Sequence, residues 1–203
     1  MSTFCLTVDV EDWFQAENLR SHHPPSSWDS REPRVESSTR RILEAAADAG
    51  AKGTFFVLGW VARRHPDLVS EISSSGHEVA SHGWGHIISS ELPEARLRED
   101  LASSKKILED ITGTSVCGYR APCFSVSDRL LGILREEGYS YDSSLNPFSI
   151  HDRYGHLSVP GPYERPFTNP SGIVEFPMPV EGIPGCRLPV SGGGYFRLYP
   201  GWL

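Results

Sequence analysis

The chain is 203 residues long, 38% hydrophobic and 22% charged, a length that suits one domain with a substantial core. Apolar residues recur along it, which excludes a largely disordered chain. A formal net charge of −7, with no basic run to offset it, excludes nucleic acid as a partner; Arg40-Arg41 and Arg63-Arg64 read as solvated helix faces. In chain order, residues 4–9 form a short apolar strand that runs into acidic residues, far too short for a signal or membrane helix. Residues 15–34, rich in His, Pro and Ser, read as a loop. Val35-Glu36-Ser37-Ser38-Thr39 opens a helix that reaches Gly50, with Ile42, Leu43, Ala46 and Ala49 on one face. Residues 53–58 form the second strand, 61–74 a helix, and 78–80 a third strand ending at Ser81-His82. A longer helix runs from Pro93, a favoured first-turn residue, to Ile111 and stops at Gly113. A strand over 116–119, a helix over 127–137 and a strand over 139–142 complete the alternation.

Beyond Pro147, proline and glycine are dense up to Gly194, interrupted by a strand-like segment at 173–176. Alternating strands and helices imply parallel βαβ units, hence an α/β fold that is either a barrel or an open doubly wound sheet. The last residues, Tyr199-Pro200-Gly201-Trp202-Leu203, read as the opening of a helix, so the domain is expected to continue past Leu203. Cys5, Cys117, Cys123 and Cys186 form neither a CxxC pair nor a ladder. They read as free thiols in a reducing compartment, which makes the cytoplasm the expected location.

Functional residues of βα architectures gather at the carboxyl ends of strands. Four such ends here carry ionisable groups: Asp9-Val10-Glu11-Asp12, Ser81-His82-Gly83-Trp84-Gly85-His86, Tyr119-Arg120-Ala121-Pro122 and Tyr141-Asp142-Ser143-Ser144. His82 and His86 with a carboxylate make a two-histidine, one-carboxylate site for an ion such as zinc, and Gly83 and Gly85 let the backbone aim both rings at one point. Asp9 and Glu11 share a strand face, so one can ligate while the other stays free as a base. Asp12 points elsewhere on a regular strand, but a bulge or strand end there could substitute it for Glu11. Arg120 could pair with the free carboxylate, and Asp142 could brace Arg120.

These four segments resemble, in order, the first four motifs of the polysaccharide deacetylases, carbohydrate esterase family four with its NodB-homology domain. The surroundings of the second and third strands, Gly50-Ala51-Lys52-Gly53-Thr54-Phe55-Phe56 and Gly76-His77-Glu78-Val79-Ala80-Ser81-His82, are similar to that family too. The resemblance implies a distorted, TIM-like (β/α) barrel of about seven strands, occupying residues 1–203 with its C-terminal part missing. It implies a hydrolase that removes N-acetyl groups from amino sugars of an oligo- or polysaccharide. Asp9 matches the base and Glu11 the metal ligand, with Asp12 still open as its substitute. The Asp9-Val10-Glu11 spacing resembles a branch holding certain peptidoglycan deacetylases and metal-independent allantoinases. The segments 9–14, 176–179 and 192–198 resemble deacetylases associated with exopolysaccharide loci.

The expected division of labour follows. Glu11, His82 and His86 hold zinc, Asp9 takes the water proton, and Arg120 backed by Asp142 keeps Asp9 ionised. A backbone N–H near Phe124 helps stabilise the oxyanion, and Trp13, Trp84, Tyr119, Pro122 and Phe124 contact the sugar. The family's late histidine, the general acid, has no counterpart before Leu203; His151 and His156 sit in the Pro/Gly-rich loop. Two rival functions stand beside this one, a metal-independent cyclic-amide hydrolase and a non-catalytic carbohydrate-binding domain.

Overall fold

A computed structural model of the chain describes residues 5–147, 154–159, 161–183 and 186–189, the segments 181–183 and 186–189 by their backbone alone. The expected features at His151, 192–198 and 199–203 lie outside the described residues. Strand β1 (Leu6–Val10) leads through three 3-10 turns (Trp13–Gln15, Glu17–Leu19 and Pro25–Ser30) to helix α1 (Val35–Asp48). There follow β2 (Gly53–Val57), α2 (Gly59–Arg64), α3 (Pro66–Ser74), β3 (Glu78–Ser81) and α4 (Glu94–Thr112). Next come β4 (Gly118–Tyr119), a 3-10 turn (Pro122–Phe124), α5 (Asp128–Glu136) and β5 (Tyr141–Asp142). The last described strands are β6 (Phe167–Thr168), β7 (Val174–Glu175) and the hairpin of β8 (Val180–Ile183) with β9 (Cys186–Pro189).

Seven strands form one sheet in the order β1-β2-β3-β4-β5-β7-β6, parallel throughout except that β6 runs antiparallel to β7. Each of the first five lies beside its predecessor and always steps the same way. A doubly wound sheet needs that order to reverse at a switch point, so the winding is that of a (β/α) barrel. Among the described residues β1 and β6 are its edges.

The helices bury periodic faces on the sheet. α1 contributes Val35, Thr39, Leu43 and Ala46, α3 Leu68, Val69 and Ile72, α4 Leu97, Leu101 and Leu108, and α5 Leu130, Leu131 and Leu134. Apart from Thr39 and Ala46, these side chains join Phe55, Val57 and Val79 of β2 and β3 in one cluster, each fully buried Leu contributing roughly 1.5–3 kcal/mol. Ala49, expected on the buried face of α1, is exposed. Trp60 packs edge-on against both Phe14 and Trp28, whose rings are tilted to each other at 45°, so residues 15–34 are far more ordered than a polar loop.

The helix expected over 61–74 is two helices. Pro66 disfavours the helical region for the residue before it, and His65 takes φ −130°, ψ 57°. The strands expected over 116–119 and 139–142 shorten to two residues each. Val116 N–H donates to Glu109 Oε1 (3.0 Å), and Lys105 Nζ donates to the carbonyls of Val116 (3.0 Å) and Gly138 (2.8 Å). Those backbone groups are spent on α4 and are unavailable to a ladder. Cys5, Cys117 and Cys123 are outside disulfides. Among the described residues no helix is long and apolar enough to cross a membrane.

Candidate active site and metal centre

The register of the parallel ladder brings four strand ends level. Asp9 lies beside Phe56, Val57 beside Ser81, Ser81 beside Tyr119, and Tyr119 beside Asp142. The residues that follow each strand therefore share one rim of the sheet. Asp9, Glu11, His82 and His86 line one open cleft there of about 320 Å³, with Glu17, Cys123 and Phe124.

Glu11 Oε2 lies 2.8 Å from His86 Nε2 and 3.8 Å from His82 Nε2. It is buried and has no aligned hydrogen-bond partner. His82 Nδ1 sits 2.8 Å from the Arg120 carbonyl. A carbonyl only accepts, so Nδ1 carries the hydrogen and the lone pair of His82 lies on Nε2, facing Glu11. A carboxylate oxygen among imidazole lone pairs is repulsive unless a cation or proton lies between them. Glu11, His82 and His86 could hold a metal ion together, and the nitrogen–nitrogen–oxygen donor set suits zinc. Burial alone depresses both imidazoles. It prevails at His82 against the Asp9 charge, whereas at His86 the contact with Glu11 outweighs it and raises the pKa.

Asp9 stands beside this group without joining it. Arg120 Nη1 donates to Asp9 Oδ1 (2.9 Å) and to Thr7 Oγ1 (3.1 Å). Burial pushes the Asp9 carboxyl up, but the Arg120 charge, then the charge of His82 and the Arg120 hydrogen bond, hold it below the usual aspartate value. Arg120 is itself fixed: Nε donates to the Ser143 carbonyl and Nη2 to Ser143 Oγ (2.9 Å each), while its guanidinium stacks 4.2 Å from the Phe56 ring centroid.

Asp142 was expected to brace Arg120 directly, and the structure places it one residue further back. Its oxygens accept from Ser144 Oγ (2.7 Å) and Ser144 N (3.0 Å), and Ser144 Oγ in turn accepts from Ala121 N (2.7 Å). Asp142 thus shapes the turn that grips Arg120. It lies level with Glu175 of β7, and both are fully buried. Burial raises both carboxyls, Glu175 well above its usual value because the Asp142 charge adds to the effect. Two buried carboxylates on neighbouring strands cannot both ionise without a compensating charge, and the proton stays on Glu175, whose carboxyl is raised further by the Asp142 charge. A carboxylate inside Ile173-Val174-Glu175-Phe176 was the sequence signal for this pair, and it was read as strand alone.

Asp12 is not an alternative ligand. Its Oδ1 accepts from Trp13 N (2.9 Å) and its Oδ2 from Arg34 N (2.9 Å) and Val35 N (3.1 Å), so the carboxylate is spent on capping the turn after β1 and the start of α1. The loop between the two histidines turns at Gly83 (φ 75°) and at His86 itself (φ 51°), and Gly85 takes no left-handed conformation. Asp100 of α4 backs this loop. It accepts from Trp84 N (3.0 Å) and from the Gly85 N–H, and a Cβ at Gly83 would lie 2.8 Å from its Oδ1. Burial pushes Asp100 up to about 6 against those two hydrogen bonds. Its place three residues after Leu97, at the edge of an apolar face, was the only hint in the sequence.

Of the five residues expected on the sugar, Phe124 alone lines the cleft. Trp13 packs on His23 and Arg34 and donates Nε1 to the Glu32 carbonyl (3.2 Å). Trp84 packs against Gly59 and under Arg63. Tyr119 is buried edge-on to Tyr139, and Pro122 is buried with its carbonyl taken by Ser125. The Phe124 N–H is committed to the Ala121 carbonyl (2.9 Å), so it is no oxyanion donor. Aromatic burial decides these cases. Glu17, Asn18, Cys123 and Tyr154 line the cleft without having been expected there.

Residues 26–141 match the polysaccharide deacetylase family. The chain belongs to that family. Residues 143–203 match a domain of unknown function, DUF3473; β5 and β7 pair within one sheet, so both matched segments build the same polysaccharide deacetylase fold. A peptidoglycan-N-acetylglucosamine deacetylase of Bacillus cereus is 28% identical over 101 residues, 50% of this chain and 47% of that protein. A chitooligosaccharide deacetylase of Rhizobium leguminosarum is 44% identical over 48 residues, 24% of this chain and 22% of that protein. The chain thus spans less than half the length of either curated relative. A crystal structure of a Mycobacterium smegmatis protein assigned to the polysaccharide deacetylases is 26% identical, with a TM-score of 0.66 over 94% of this chain and 64% of that one.

Proposed function

We propose that the chain is a zinc-dependent hydrolase that removes N-acetyl groups from the amino sugars of a polysaccharide. One observation carries the reading: Glu11 Oε2 converges with two imidazole Nε2 atoms beside an Asp9 that Arg120 holds ionised. The names of the two curated relatives, which concern peptidoglycan N-acetylglucosamine and chitooligosaccharides, support the substrate class. The resemblance of 9–14 and 176–179 to exopolysaccharide-locus deacetylases favours an exopolysaccharide over a wall polymer.

Glu11, His82 and His86 would hold the ion, which when bound supplies Lewis acidity toward an amide carbonyl and a water molecule. Asp9 takes the proton of the attacking water, a contribution of typically about 10²–10⁴-fold. Arg120 keeps Asp9 ionised and aimed, and the Asp142–Ser144 turn keeps Arg120 in place. Phe124 offers an apolar wall for the sugar. The Glu11 convergence also favours this reading over a metal-independent cyclic-amide hydrolase, which needs no such triad.

A second reading, carbohydrate binding without turnover, draws on a different observation. Among the described residues His82 and His86 are the only histidines lining the cleft, so no further imidazole there can protonate the leaving amine. Acetate release from a panel of N-acetylated oligosaccharides, with zinc content measured on the same sample, separates the two. Turnover with about one zinc per chain, lost in D9N while the zinc stays, is the expected result. Oligosaccharide binding without acetate release would favour the second reading, and unchanged zinc content in an H82A/H86A double variant would end the ligand assignment.

A further inference from the structure

His86 belongs to a second cluster. Glu17, from the 3-10 turn after β1, and Cys123, from the turn after β4, bring ligand atoms within 4.8 Å of one another and of His86. All three line the same cleft as the first triad. Among the described residues three non-glycine residues take positive φ, and they are His86, Cys123 and Phe124. Two of the three clustered donors are therefore presented from backbone that side chains rarely adopt. Arg20 Nη1 donates long hydrogen bonds to both Glu17 oxygens, 3.5 Å to Oε1 and 3.4 Å to Oε2.

The two histidines differ in what holds their rings. A ligating imidazole ordinarily donates its other N–H to a carbonyl or carboxylate, which fixes its tautomer. His82 does this through the Arg120 carbonyl. His86 is 6% exposed, yet its Nδ1 is buried without a hydrogen-bond partner. No hydrogen bond at Nδ1 fixes the ring of His86, whose Nε2 meets Glu11 at 2.8 Å, and Glu17 and Cys123 bring ligand atoms within 4.8 Å of it as well.

We propose that Glu17, His86 and Cys123 form a second cation seat, suited to a thiophilic divalent ion, that competes with the Glu11–His82–His86 seat for His86. A neutral imidazole has one lone pair, so His86 serves one seat at a time. The first seat offers two nitrogens and an oxygen; the second replaces one nitrogen with sulfur, and thiolate selects softer ions. On binding, the Cys123 S–H bond breaks, its proton leaves to solvent and a sulfur–metal bond forms, with no change of oxidation state. A soft ion therefore draws His86 away from the catalytic seat. This holds whether or not the first seat turns over a glycan.

Cadmium titration of the metal-free full chain, followed by the ultraviolet thiolate-to-cadmium absorption, tests it. One equivalent should produce the band, C123S should abolish it, and E17Q should weaken cadmium binding about tenfold or more. H82A, which disables the first seat, should keep the band, so the outcome is separable from any zinc or activity result. H86A should weaken it. Absence of the band in the wild type, or its persistence at full intensity in a folded C123S, would overturn the proposal by removing Cys123 from any cadmium site.

Discussion

Between β1 and β2 the parallel ladder runs unbroken from Leu6 beside Gly53 to Val10 beside Val57, whereas β3 meets β4 only where Ser81 lies beside Tyr119. The first region is built on regular backbone pairing over an apolar core, and it carries the carboxylates and imidazoles that face the cleft, Asp9, Glu11, His82 and His86 among them. The second, from β4 to β7, has two-residue strands and relies on buried polar side chains, Arg120, Asp142, Ser143, Ser144 and Glu175. None of those five lines the cleft. The proposed reacting groups thus sit on the well-paired half, and the half with little ladder supplies the charge and turn that hold them. A short strand offers few backbone hydrogen bonds, so side-chain hydrogen bonds must fix the turn, and low dielectric makes each of them matter more.

Breaking the link between the halves should have the largest effect. R120A removes the guanidinium from Asp9 and leaves the Ser143 carbonyl unpaired, so turnover should fall by about 10²-fold or more, while zinc content, read by atomic absorption, stays near that of the wild type. R120K should recover little, because an ammonium cannot reproduce the forked contact with Ser143 and Asp9. Loss of zinc in R120A would show that the halves are not separable in this way.

Next in size is the support of the histidine loop by α4. D100A frees Trp84 N and Gly85 N, and zinc affinity measured by competition with a chelator should drop about 10–100-fold, as for outer-shell partners in general. The pKa of Asp100 lies above its unfolded value, so the folded chain binds the extra proton. Stability of the metal-free chain should therefore fall as pH rises from 3.8 to about 6, and D100N should flatten that stretch of the denaturation-midpoint profile.

Within the second half, E175L should leave Asp142 as a buried charge without the Glu175 proton, held by the Ser144 hydrogen bonds alone. A loss of ~1–3 kcal/mol in urea denaturation is expected, with KM little changed and kcat reduced through the loosened Ser143–Ser144 turn. E175Q can still donate to Asp142 and should restore most of both. If the leucine variant matched the wild type in stability, the shared proton would be the wrong account. Smallest is the cap in the first half. D12A should cost about 1 kcal/mol and leave zinc content unchanged; zinc loss there would return Asp12 to the ligand set.

The βα alternation, the helix starts and stops, and the ordered polar motifs at four strand ends were legible in the sequence, because periodicity and strand-end placement are local properties. From them followed the α/β class, the family resemblance, and a candidate set at the strand ends from which the structure brings Asp9, Glu11, His82, His86 and Arg120 together. Whether the sheet was a barrel or doubly wound was not legible, since strand order is a matter of which neighbour each strand finds. Local spacing also left Glu11 and Asp12 open. Only the folded chain shows that α1 begins where Asp12 can cap it, which spends that carboxylate and leaves Glu11 to the histidines. The supports were equally hidden: Asp100 meets its loop across a helix, and Glu175 meets Asp142 across β7. Their partners lie 16 and 33 residues away, and separations of that kind are decided by packing rather than by any pattern along the chain.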